Sequence, residues 1–86
     1  DVVSERSQTE YRQVTSGVHE SAWEIVLRNH KETPVRVGVI ETLPGHWKLL
    51  NHSHPYRKTD AFTIRFDVEI PSNDTATIQY RVRVGL

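Results

Sequence analysis

Three of the five histidines, His46, His52 and His54, fall within nine positions of one another. On an extended segment His52 and His54 project from one side, because side chains two apart share a strand face. Such an imidazole pair suits zinc, copper or nickel. A metal site also needs a third ligand, for which Asp60 and His46 are the candidates, and groups behind the ligands that orient them. The competing reading is a polar loop of solvated imidazoles with Pro55 shaping its turn, and it is the one adopted: no metal or other cofactor is expected. With no cysteine in the chain, disulfides and thiolate zinc sites are excluded. Ser, His and Asp all occur, but no nucleophile elbow, phosphate-binding glycine loop or metalloprotease helix does. No catalytic residue is therefore assigned, and the chain is not read as an enzyme.

Other residues suit binding better than catalysis. Asn29-His30-Lys31 forms a polar tip after an apolar run, and loops on a rigid scaffold commonly carry recognition. Asn29 itself falls on the inward phase of its strand, where a buried amide serves loop carbonyls and amides instead. Trp23 and Trp47 are candidate platforms for sugars or peptides. Both read as core, Trp23 being in phase with Ile25 and Leu27 and Trp47 following a tight turn; of the two, Trp47 is the better platform candidate. The interaction-loop candidates are thus Asn29, His30, Lys31, Trp47, His54 and Tyr56. Arg65, Arg81 and Arg83 are expected to share a wet sheet face with Asp67 and Glu69, which also discourages edge aggregation.

The elements that position these residues follow from period-two alternation. Phe62, Ile64, Phe66, Val68 and Ile70 lie on one side of a segment whose other side carries Thr63, Arg65, Asp67 and Glu69. Ala76, Ile78, Tyr80, Val82 and Val84 alternate in the same way with polar residues. A helix would smear both sets around its cylinder, so both segments are strands with one dry and one wet face. Pro71 to Thr75 joins them either as a hairpin turn or as an arch between two sheets. Weaker alternation marks strands at Thr9 to Thr15, Trp23 to Leu27, Val35 to Ile40 and Trp47 to Leu50. Leu43-Pro44-Gly45-His46 reads as a type II turn, and Asn51 to Asp60 as a polar loop. Tyr80 is expected to bond backbone at a sheet edge.

Six to seven short strands in 86 residues predict an all-β fold, an immunoglobulin-like or fibronectin-III-like antiparallel β-sandwich, with a small open barrel of the same strands as the alternative. Its inner layer is expected to draw on Trp23, Ile25, Leu27, Val35, Val37, Val39, Trp47, Phe62, Ile64, Phe66, Val68, Ile78, Tyr80, Val82 and Val84. Residues 1–7 are polar and expected to fray; residues 8–86 form the single domain. Lys and Arg total 11 against 11 Asp and Glu, so the formal charge is zero with histidine neutral. That balance argues against nucleic acid or anionic lipid as a partner, and no apolar run approaches the ~20 residues of a membrane helix. The chain starts at Asp1 and contains no Met, as expected of a piece cut from a larger protein.

The segments EIVLRNHKETPVRVGVIETLPGHWKLL and HSHPYRKTDAFTIRFDVEIPSNDTATIQYRVRV, with the opening DVVSERSQTEYRQV, resemble one bacterial family. It is the C-terminal region of the domain of unknown function 4139, found in mucoidy-inhibitor-A-like conserved hypothetical proteins. The most specific elements are Asn29-His30-Lys31, Leu43-Pro44-Gly45 with Trp47, Ser53-His54-Pro55-Tyr56 and Tyr80-Arg81-Val82. The resemblance implies a β-rich C-terminal module on a larger bacterial protein, often exported, and so a cell-envelope or secreted location. It implies no reaction and no catalytic residues. The expected function is a non-catalytic accessory or interaction module whose partner is protein, either its own upstream domain or another subunit, engaged through loops or by edge-strand pairing. The alternatives are a sugar- or metal-binding module using Trp47 and the His-rich loop, and part of an enzyme whose active site needs an upstream region.

Overall fold

The computed structural model describes residues 1–85. Seven strands follow in order: β1 (Val2–Thr15), β2 (Val18–Asn29), β3 (Val35–Thr42), β4 (His46–His52), β5 (Arg57–Asp60), β6 (Thr63–Ile70) and β7 (Thr75–Gly85). No helix occurs among the described residues, hence none long and apolar enough to cross a membrane. The strands form two antiparallel sheets, β1-β2-β7-β4 and β3-β6-β5. The fold is a β-sandwich of four strands over three. The constant-type immunoglobulin sandwich has the same split, with its fifth strand between the second and fourth. Here the seventh strand takes that place and the fifth pairs with the sixth.

Inward-phase side chains from both sheets make the core. Phe66, Ile64 and Ile70 from β6 meet Ile78, Tyr80 and Val82 from β7 and Ile25 and Leu27 from β2. The two clearest alternating segments thus lie in opposite sheets, and Pro71 to Asp74 is the arch between them rather than a hairpin turn. Consequently Arg65 and Asp67 share one outer face, while Arg81 and Arg83 cover Glu20 on the other. Arg83 donates to Glu20 from Nε and Nη2 at 3.0 and 2.8 Å, and those bonds hold the Glu20 carboxyl below its ordinary range. Arg65 does the same for Asp67.

Four expectations are corrected. Residues 2–7 do not fray but form the first half of β1, paired to β2 from Val2↔Asn29 onward. The segment 51–60 is not a simple loop, because β5 forms at Arg57–Asp60 against β6. Phe62 is not core: it sits in the two-residue turn before β6, and 52% of it is exposed. Tyr80 bonds no backbone among the described residues; it lies deep between the sheets, where its hydroxyl donates to Glu41 Oε1 at 2.6 Å. Leu43 and Ile70 join the core in addition to the expected set.

At one end of the sandwich Asn29 ties the loops together. Its side chain is buried, with Nδ2 within bonding distance of the carbonyls of Thr33, Ile70 and Pro71 at 2.9, 3.3 and 3.0 Å, while Oδ1 accepts from the Lys31 N–H at 2.9 Å. One amide therefore holds both the β2–β3 loop and the β6–β7 arch. Replacing it leaves buried backbone groups without partners, which costs about 1–3 kcal/mol. Asn29→Ala is expected to lower unfolding free energy by that amount in urea titration, whereas His30→Ala, at an exposed position, changes it by less than ~0.5 kcal/mol.

Candidate functional site

The turn that carries the chain from β3 to β4 needs Gly45 twice over. Its φ is +62°, a region where side chains are strained, and a Cβ there would come within 2.7 Å of the Gly85 carbonyl oxygen. The tight reversal lodges Leu43 in the core and starts β4 at His46, leaving Trp47 half-buried beside the core. Trp47 Nε1 donates to the Ala61 carbonyl at 2.9 Å, and the Lys58 ammonium stands 5.3 Å from its ring centroid.

Opposite this turn, Ala61-Phe62 links β5 to β6. Asp60 Oδ1 accepts from the Phe62 N–H at 2.8 Å, and the Phe62 carbonyl accepts from the Leu43 N–H at 2.7 Å. Both backbone groups of Phe62 are thus pinned while its ring is displayed. Between the two turns lies an open groove of about 440 Å³ lined by Gly45, His46, Trp47, Lys58, Ala61 and Phe62. It offers two aromatic rings, a cation with no ion-pair partner among the described residues, and an imidazole. Such a set suits an apolar or aromatic ligand group carrying a negative charge.

The other candidates are not brought together here. Trp47 pairs with Val84, Val84 with His19, and Asn29 lies ten residues further along β2. At ~3.3 Å per residue that separates the Asn29-His30-Lys31 tip from Trp47 by roughly 33 Å. Asn29 is consumed by the loop carbonyls; His30 and Lys31 keep exposed side chains. His46 and His52 stand at opposite ends of β4, roughly 20 Å apart on the same spacing.

His52 Nδ1 reaches the His54 carbonyl at 2.8 Å, which requires the proton on that nitrogen. Ser53 Oγ accepts from the Gln79 N–H at 2.8 Å and lies 2.7 Å from His54 Nδ1. The segment Ser53 to Tyr56 is thereby tied to β7. Tyr56 closes the side of the sandwich, with its ring 4.9 Å from His52 and 6.3 Å from Phe66. Among the described residues no group of three or more His, Asp or Glu stands close enough to hold a metal ion.

Sequence reasoning missed Glu41. It is 6% exposed and accepts from Tyr80 Oη and from Arg6 Nε, the latter at 3.0 Å. Arg6 in turn lies over the Trp23 ring, 4.0 Å from its centroid, and Trp23 Nε1 donates to Ser21 Oγ at 3.1 Å. Burial, reinforced by the hydrogen bond to Glu41, pushes the Tyr80 phenol well above its ordinary range. The signal for Glu41 was its phase: it continues the inward series Val35, Val37, Val39.

No family model matches the chain, and no curated protein or solved structure matches it either.

Phe62 and Phe66 supply a direct contrast. Phe62→Ala is expected to change unfolding free energy by less than ~0.5 kcal/mol, while Phe66→Ala removes a fully buried ring and costs about 3–5 kcal/mol. Thermal or denaturant unfolding of the two variants checks this.

Proposed function

We propose that this chain is a non-catalytic interaction module of a larger bacterial protein and that it binds a protein partner through the groove between Trp47 and Phe62. The observation that carries the reading is the display of Phe62: an aromatic ring held out of the core on a doubly pinned turn, facing a second aromatic across open space. An apolar ring in water has no stabilising role in the fold, whereas rigid aromatic anchors dominate the energetics of interfaces. Lys58 and His46 at the rim favour a partner segment with an aromatic or aliphatic residue next to a carboxylate. The bacterial parent and its envelope setting rest on the resemblance of the Leu43-Pro44-Gly45 and Ser53-His54-Pro55-Tyr56 segments.

The test selects displayed random peptides on the immobilised chain, and probes the same chain with a glycan array. Enriched peptides should combine an aromatic or aliphatic residue with Asp or Glu. They should perturb the Trp47 indole resonance and bind Phe62→Ala at least about tenfold more weakly. Peptides that bind Phe62→Ala as tightly as the parent sequence, or a positive glycan array with no peptide enrichment, would overturn the reading.

A further inference from the structure

Four strands end a sheet here: β1 and β4 in the larger, β3 and β5 in the smaller. Proteins protect such edges with charges and bulges, because unpaired N–H and C=O groups template pairing with another chain. Three of the four follow that rule. The ladders of β1, β4 and β5 each contain a register shift, and each strand carries exposed charge, such as Glu5 and Arg12, Lys48, and Arg57. Strand β3 lacks the register shift: its pairing runs unbroken from Val35↔Ile70 to Thr42↔Thr63. Glu41 is turned inward, Gly38 is bare backbone beneath the Arg65 guanidinium, and Ile40 is 56% exposed. Only Arg36 puts charge on its outer face, and Arg36 has no ion-pair partner among the described residues.

The facing sheet supplies a second, independent sign. Val2, Ser4, Arg6 and Gln8 of β1 pair with the inward residues Asn29, Leu27, Ile25 and Trp23 of β2, so they point to the inner side. All four are nevertheless exposed, because the three-stranded sheet has no strand opposite them. Between the β1 and β3 edges lies a groove of about 400 Å³, with Val2, Ser4, Val37 and Val39 on its walls and Ile25 and Leu27 at its base. A strand laid beside β3 at the usual ~4.8 Å spacing would sit under β1 and drop its inner side chains into that groove.

We propose that the free edge of β3 accepts an extended segment of a partner protein as a fourth strand of the smaller sheet. The segment carries apolar residues on its inner face and an acidic residue opposite Arg36. Backbone bonds to β3 supply affinity, and alternate side chains supply selectivity. A second copy of the chain fits less well: the outer face of β3 offers Arg36, Gly38, Ile40 and Thr42, so self-pairing brings no carboxylate to Arg36. This surface is separate from the Trp47–Phe62 groove, which borders β5 at the other edge of the same sheet.

The probes are two short peptides of alternating Val and Thr, one with Glu and one with Lys at the central outward position. They are titrated into isotope-labelled chain followed by amide NMR and hydrogen exchange. Shifts and slowed exchange should fall on Val35–Thr42 and on Val2 to Arg6. The Glu peptide should bind about two- to fivefold more tightly, as a cross-strand charge pair allows. Arg36→Glu, at an exposed position, should invert that preference, and Phe62→Ala should leave both titrations unchanged. Absence of binding by either peptide, shifts centred on Trp47, or an unaltered preference in Arg36→Glu would overturn the proposal. Self-association in sedimentation that Ile40→Lys disperses would overturn it in favour of a second copy.

Discussion

A carboxylate buried between two sheets has to be matched, and in this sandwich the matching of Glu41 links the elements that everything else rests on. Glu41 belongs to the three-stranded sheet, while Tyr80 and Arg6, which donate to it, belong to the four-stranded one. Losing a partner of a buried charge costs about 3–5 kcal/mol, though half-exposed Arg6 is screened by solvent and counts for less. Against a total stability of order 5–15 kcal/mol, the Tyr80 bond alone is a sizeable share. A domain of this length buries only about 60–65% of its unfolded surface, and with no cysteine it has no covalent staple. Specific cross-sheet contacts therefore matter more than in a larger core.

The same residue sets the geometry downstream. Glu41 fixes the end of β3, and the chain then turns at once through Leu43, Pro44 and Gly45 into β4. Leu43 is gripped by the core and by the Phe62 carbonyl. The two turns that frame the Trp47–Phe62 groove are thus coupled to each other and, through one short segment, to the buried carboxylate. At the other end Asn29 performs the equivalent task for the β2–β3 loop and the β6–β7 arch with neutral groups alone. Polar side chains thus pin the chain on either side of β3, through Asn29 at the β2–β3 loop and through Glu41 near the strand's end, with the aromatic and β-branched core between the sheets.

The all-β class and the strands β6 and β7 were readable from alternation alone, because each has one buried and one wet face. The buried role of Asn29 was readable from its phase. What misled was local. Phe62 extends the apolar series of β6 by one step, so periodicity placed it in the core, but the chain turns at Ala61-Phe62 and the alternation there is accidental. The first strand has no alternation because no strand of the smaller sheet covers its inner face, so both of its sides are polar or exposed and no period marks it before Thr9. Strands adjacent in sequence often pair, which would put Arg65 and Arg81 on one face; Pro71 to Asp74 instead crosses between sheets, which no local pattern reveals. The charge of Glu41 masks its inward phase, and its two partners lie 35 and 39 positions away.

The bridging role of Glu41 is tested most directly by a double-mutant cycle on Glu41→Gln and Tyr80→Phe, read from unfolding free energies in denaturant. If the phenol–carboxylate bond joins the two sheets, the double variant should lose at least about 1 kcal/mol less than the two single losses together. Additive losses, within about 0.3 kcal/mol, would contradict the central place given to Glu41.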